Sequence, residues 1–225
     1  MQNTYCLFLV KCMLFLSINT LVMAADKTND ACQILSTSQQ VKMLPTSQII
    51  VVHSLGGIKA SMTLCQKQGV VWYPVFLPSF EAVIGENGTA AAGKKKEGDL
   101  KTPVGLYPIG DAFGTRPLAL KMDYKYITAD DKFIDDVHSK RYNTWVTGTT
   151  KAKSYEHMLI KPYVFGAIVN YNMQPTIAGA GSAIFIHVWS ASNTGTAGCV
   201  ATTQKHILQM LHWLDKAQHP YILVY

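Results

Sequence analysis

The sequence predicts a mostly β domain carrying a single late α-helix. Three observations predict it. β-branched runs bounded by Gly, Pro and Asn recur from residue 48 onward. Only one stretch, "TTQKHILQMLHWLDKAQ" (202–218), repeats its apolar residues at helical spacing. The chain has 225 residues, 48% of them hydrophobic and 15% charged, which suits one packed core and argues against disorder.

The N-terminus reads differently from the rest. In "MQNTYCLFLVKCMLFLSINTLVMAADKTND" one cation, Lys11, precedes an apolar run from Met13 to Met23. The run is short for a membrane span and includes Ser17, Asn19 and Thr20. Small residues near Ala24 suit a signal peptidase, so residues 1–24 are expected to be a secretory signal, an uncleaved anchor being the alternative. Cys6 and Cys12 lack the preceding small residue of a lipidated cysteine. The mature protein is therefore expected to be exported and to hold no integral membrane segment. Residues 25–47 are polar and mixed, and are expected to be a loosely packed lead-in. Residues 48–225 form the predicted domain.

That domain opens as a β-meander. "QIIVVHS" (48–54) is β-branched, Gly56-Gly57 signals a hairpin, and "IKASMTLCQK" alternates behind it. Gln68-Gly69 turns the chain into "VVWYPVF". Residues 84–110 form a long Gly- and Lys-rich loop, and ordered loops of that length are more often functional than linkers. Residues 119–155 are irregular, polar and aromatic, with no assignable element. "YVFGAIVNYN" and "GSAIFIHVW" are two strong strands. In the helix, Thr202 or Thr203 is the candidate cap, and Ile207, Leu208, Leu211 and Leu214 share a face. Pro220 follows its end, and "YILVY" closes the chain as a strand.

Net charge is +6, with no Arg/Lys stripe interleaved with aromatics, so nucleic acid is not an expected partner. Outside the signal, three cysteines remain: Cys32, Cys65 and Cys199. In an oxidising compartment thiols pair, and an odd count leaves one free or bridging two chains. A Cys32–Cys65 bond would staple the lead-in to the first sheet and leave Cys199 over.

Cys199 follows a loop of small residues and lies shortly before the helix. A thiol attacks as thiolate and needs an imidazole or a helix N-terminus to ionise near neutral pH. Both are expected here: the helix starts near Thr203, and His187 ends a strand twelve positions before Cys199. The competing reading is a buried, idle core thiol. Backbone N–H groups at Gly198 and Cys199 are candidates for an oxyanion hole. Of the other histidines, His206 and His212 point to different helix faces, His219 is solvated beside Pro220, and His53 and His138 sit in turn-like contexts. His157, beside Glu156, is a candidate for the site. No Cys/His spacing of a zinc site occurs, and no metal or cofactor is expected.

Three stretches resemble the YkuD-type L,D-transpeptidase family. They are "EGDLKTPVGLYPIG" (97–110), "GSAIFIHV" (181–188) and "TAGCVA" (196–201), in the family's order and within residues 48–225. "FIDDVHSKRYNTWV" and "SYEHMLIKPYVFGAIVNYN" suggest an exported subgroup. The resemblance implies a YkuD-like, β-rich catalytic fold acting on peptidoglycan stem peptides, in the periplasm of a Gram-negative bacterium. It implies Cys199 as nucleophile, His187 as base, and cross-linking of the acyl group to an acceptor amine. An L,D-carboxypeptidase or amidase-like hydrolase is the alternative, as is a non-catalytic wall-binding module. Two family residues are missing: Ala197 stands where a second histidine is usual, and Ala201 where an arginine is usual. Thr196, Ala197 and Gly198 are expected around the substrate. Glu156, His157, Arg141, Tyr142 and Asn143 are expected to replace the lost groups.

Overall fold

The computed structural model describes residues 31–225. The signal expected at residues 1–24 lies outside them. Two short helices come first, α1 (Gln33–Thr37) and α2 (Gln39–Lys42). The meander follows as β1 (Gln48–Gly56), β2 (Lys59–Gln68), β3 (Val71–Pro74) and β4 (Phe80–Val83). The long loop holds only the two-residue strands β5 (Thr89–Ala90) and β6 (Thr102–Pro103) before β7 (Gly105–Gly114). Four short strands come next: β8 (Tyr124–Tyr126), β9 (Asp131–Ile134), β10 (Trp145–Thr147) and β11 (Tyr155–His157). Then come β12 (Phe165–Val169), β13 (Phe185–Val188), β14 (Val200–Thr202), α3 (Gln204–Trp213) and β15 (Tyr221–Val224).

The mostly β expectation holds. The main sheet runs β1-β15-β7-β12-β13-β14-β4-β2-β3, and β1 also pairs with β2. That last pairing closes the eight strands from β1 to β2 into a ring, with β3 paired to β2 and β8 to β7 outside it. The β1–β15 and β13–β14 pairs are parallel, with His187 opposite Ala201.

Alternation along the strands sends successive side chains to opposite faces. Ile50 and Val52 of β1, Ile186 of β13 and Val200 of β14 join Ile207, Met210 and Leu211 of α3 in the main core. Ile49 and Val51 face the other way, onto Cys32, Leu35 and Val41. A third cluster gathers Phe113, Phe133, Tyr163, Phe185 and Cys199.

From residue 31 onward, the lead-in is not loosely packed. Leu35 and Val41 are buried against β1, and Cys32 is disulfide-bonded to Cys65 of β2. Burying a Leu-sized side chain contributes about 2 kcal/mol, which holds a five-residue helix too short to persist alone. Residues 119–155 also carry more order than their composition suggests. β9 pairs with β10 and β11, and buried Asp131 accepts hydrogen bonds from Thr128, Trp145 and Thr147. α3 is shorter than its apolar pattern. Thr203 caps its start, accepting from the His206 N–H, and Leu214 is already extended at its end. His53 lies in β1 and stacks on Tyr225, rather than in a turn.

Candidate active site

The parallel β13–β14 pair brings the thiol and the imidazole to one place. Residues 185 and 187 share a face of β13. Cys199 immediately precedes β14 and is 5% exposed; His187 is 7% exposed. The Phe185 N–H donates to Cys199 Sγ at 3.3 Å, and Sγ donates to the Ala183 carbonyl, also at 3.3 Å. His187 Nδ1 lies 2.9 Å from the Val188 carbonyl. A carbonyl only accepts, so this contact assigns the ring proton to Nδ1 and leaves Nε2 as the basic nitrogen.

Burial sets both protonation states. It pushes the Cys199 thiol far above its ordinary range, and the Glu156 carboxylate pushes it further; the Phe185 N–H and Lys95 act the other way. Burial holds His187 down at about 4, against the weaker pull of the Val188 carbonyl. At neutral pH the pair therefore rests as thiol and neutral imidazole. The helix does not assist ionisation as expected. The three residues of β14 separate Cys199 from α3, roughly 10 Å of extended chain, beyond the first-turn reach of a helix dipole.

Cys199 and His187 line one cleft of about 380 Å³, with Glu97, Asp135, Glu156 and Tyr163 among its other walls. A roomier groove of about 710 Å³ lies between Phe76 and α3, but neither Cys199 nor His187 lines it. Chemistry points to the smaller cleft.

The loop that carries the thiol is clamped from behind. Thr196 Oγ1 donates to the Cys199 carbonyl at 2.7 Å and accepts the Gly198 N–H at 3.1 Å. Thr102 Oγ1, fully buried, donates to the same carbonyl at 3.3 Å and accepts the Gly85 N–H at 2.9 Å. This is what the Thr-Pro-x-Gly segment does here: it braces the Cys199 backbone. Gly198 has φ 143°, and a Cβ there would lie 2.9 Å from the Lys101 carbonyl.

The expected site residues divide. Thr196, Ala197, Glu156, His187 and Cys199 all line the cleft. The Gly198 N–H, expected to face an oxyanion, is donated to Thr196 within the loop. His157 is excluded. It is exposed and packs edge-on against Tyr155, because alternation along β11 turns it away from Glu156. Arg141 is exposed too, its guanidinium donating to the Trp145 carbonyl at 3.4 Å. Tyr142 and Asn143 are buried supports. Tyr142 donates to Glu97 Oε2, while Asn143 clasps the Tyr171, Asn172 and Ala183 backbones.

Tyr163 was missed by the sequence reading, since nothing in "KPYVFG" marks it. Its ring meets His187 edge-on at 5.1 Å, and its hydroxyl donates to Glu156 Oε2 at 2.5 Å. Glu97 and Asp135 were also missed as site groups, although both fall within stretches that carry the family resemblance.

Comparison with known proteins bears on this geometry. No curated protein matches the sequence. A solved structure, Bdellovibrio bacteriovorus Bd1075, is 17% identical with a TM-score of 0.43; the match covers 80% of this chain and 48% of that one. This chain thus spans about half the length of that protein. The YkuD family, described as the L,D-transpeptidase catalytic domain, matches over residues 47–222, which include the braced loop, the strand ending on His187 and Cys199 itself. The chain belongs to the YkuD family of L,D-transpeptidase catalytic domains.

Proposed function

We propose that this protein is a peptidoglycan L,D-transpeptidase that works through Cys199 and His187. The observation that carries the reading is the shared cleft: the thiol and an imidazole with a free Nε2 line one wall system, and the thiol loop is braced from behind. In the first step Sγ attacks the carbonyl carbon of the L,D bond after the third stem residue, as His187 Nε2 takes the thiol proton. The C–N bond breaks, His187 returns the proton to the departing D-amino acid, and a thioester remains on Cys199. An amine of a second stem then attacks the thioester, its proton passing through His187 back to Sγ. Because both groups rest neutral, proton transfer accompanies attack rather than preceding it. The backbone N–H of Cys199 holds the oxyanion, joined by that of Gly198 once Thr196 releases it.

One observation favours a second reading. At about 380 Å³ the cleft is near the small end of ligand sites, roughly 300–1,000 Å³, and suits one peptide arm better than two. Water in place of the acceptor amine gives an L,D-carboxypeptidase with the same residues. Export to a Gram-negative periplasm belongs to either reading. The Cys32–Cys65 disulfide supports it, since such bonds persist in oxidising compartments.

One experiment separates the readings. The protein and its Cys199→Ala variant are incubated with disaccharide-tetrapeptides and the products weighed by mass spectrometry. Cross-linked dimers identify a transpeptidase, and tripeptides alone a carboxypeptidase. If neither depends on Cys199, both readings fail and the fold serves wall binding.

A further inference from the structure

The thiol proton of Cys199 does not face His187. Among the described residues Sγ has two hydrogen-bond partners, the Phe185 N–H that donates to it and the Ala183 carbonyl that accepts from it, both at 3.3 Å. The proposed reaction needs that proton on His187 Nε2, so the Ala183 carbonyl competes with the base for it. A hydrogen bond that holds the neutral thiol also opposes its ionisation. Where the Ala183 carbonyl points therefore decides how readily Cys199 gives up its proton.

Ala183 points it there in a conformation that alanine does not choose alone. Its φ is 53°, in the left-handed region that crowds any residue with a Cβ. It is buried in the irregular segment 181–184, just ahead of β13. Side chains from elsewhere hold that segment residue by residue. The Gly181 N–H donates to the Tyr142 hydroxyl at 3.1 Å, Ser182 Oγ donates to Glu97 Oε2 at 2.7 Å, and the Ala183 N–H donates to Asn143 Oδ1 at 3.1 Å. Asn143 is buried and also left-handed, at φ 58°, which asparagine tolerates better than most residues. Its Nδ2 donates to the Tyr171 and Asn172 carbonyls, each at 2.9 Å. With both ends of its amide engaged, Asn143 is the fixed partner and Ala183 conforms to it. Two strained non-glycine residues in series behind a thiol are the kind of outlier that clusters at active sites.

We infer that Asn143 is a positioning residue for Cys199: it holds Ala183 in the left-handed region, so that the Ala183 carbonyl parks the thiol proton away from His187. Transfer to His187 Nε2 then begins with a rotation that takes the S–H off that carbonyl. The inference rests on the reading that Cys199 is the nucleophile.

The test reads the thiol itself, so it does not require turnover. Infrared difference spectra between the protein and its Cys199→Ala form isolate the Cys199 S–H stretch from that of any other thiol in the chain. In the wild type the band should lie below that of a thiol with no acceptor. Asn143→Gly keeps the left-handed backbone and removes the hold, so Ala183 relaxes and its carbonyl leaves. The band should then move up to the free position, and iodoacetamide should alkylate Cys199 up to about tenfold faster at neutral pH, the scale of one lost neutral hydrogen bond. Asn143→Ser, whose side chain is one bond shorter, should do the same and serves where the glycine variant does not fold. Tyr142→Phe is the control: it releases the neighbouring clamp at Gly181 and leaves the Asn143 bond, so its melting temperature should fall while the band stays. A wild-type band at the free position, a band that the Asn143 variants leave in place, or one that moves as far in Tyr142→Phe overturns the inference. If the band behaves as expected and disaccharide-tetrapeptides are not turned over, the positioning role stands and the transpeptidase reading fails.

Discussion

Thr102→Val tests whether the Thr-Pro-x-Gly segment braces Cys199. Valine keeps the shape of threonine and removes only its hydroxyl. The Gly85 N–H, at 2.9 Å, then loses its acceptor at a fully buried site. The Cys199 carbonyl loses one of two donors but keeps Thr196 at 2.7 Å. Leaving one buried donor unsatisfied costs about 1–3 kcal/mol, and the second loss adds little. Taking about 2 kcal/mol, the melting temperature should fall by roughly 4–8 °C, since each kcal/mol moves a domain of this size by about 2–4 °C. Thr102→Ser keeps both hydrogen bonds and loses one methyl, so its drop should be near 1 kcal/mol. Calorimetry gives the stability of the set, and mass spectrometry of Cys199 acylation by a carbapenem gives its reactivity. Acylation should slow in Thr102→Val and not in Thr102→Ser. A Thr102→Val protein that melts and acylates like the wild type would refute the bracing argument.

Gly198→Ala should abolish acylation of Cys199, since φ 143° and the 2.9 Å approach to Lys101 leave no room for a methyl group; unchanged labelling in a mass spectrum would contradict this. His187 makes stability fall with acid. The unfolded chain binds a proton near 6.5 and the folded one only near 4, so stability is complete above 6.5 and is lost as pH falls between them. Between about pH 7.5 and pH 4.5 wild type should lose about 2–3 kcal/mol more than His187→Asn, measured by urea unfolding. Removing the Cys32–Cys65 bond, which spans 33 residues, should cost about 3–4 kcal/mol or roughly 7–14 °C, tested by melting Cys32→Ala/Cys65→Ala.

The long strands were legible because β-branched runs and Gly turns mark them locally. β9, β10 and β11 were not, because each has only three or four residues and their order comes from Asp131 reaching Thr128, Trp145 and Thr147. The lead-in was misread for the same reason: Leu35 and Val41 are anchored by a sheet and a disulfide formed elsewhere in the chain. At the site, neighbours in sequence parted. Glu156 lines the cleft and His157 does not, and a strand of three residues carries no period from which to choose between them.

The sequence by itself determined the family, the nucleophile and base candidates, and the loop that accompanies them, because these are written in contiguous motifs. Only the tertiary structure decided their electrostatics. Cys199 looked like a thiol activated by a helix, yet β14 intervenes and burial keeps it protonated. The acidic wall likewise joins Glu97, Asp135 and Glu156 from three separate segments. Burial and charge clustering arise only when distant segments share a volume, and a linear motif does not encode that volume.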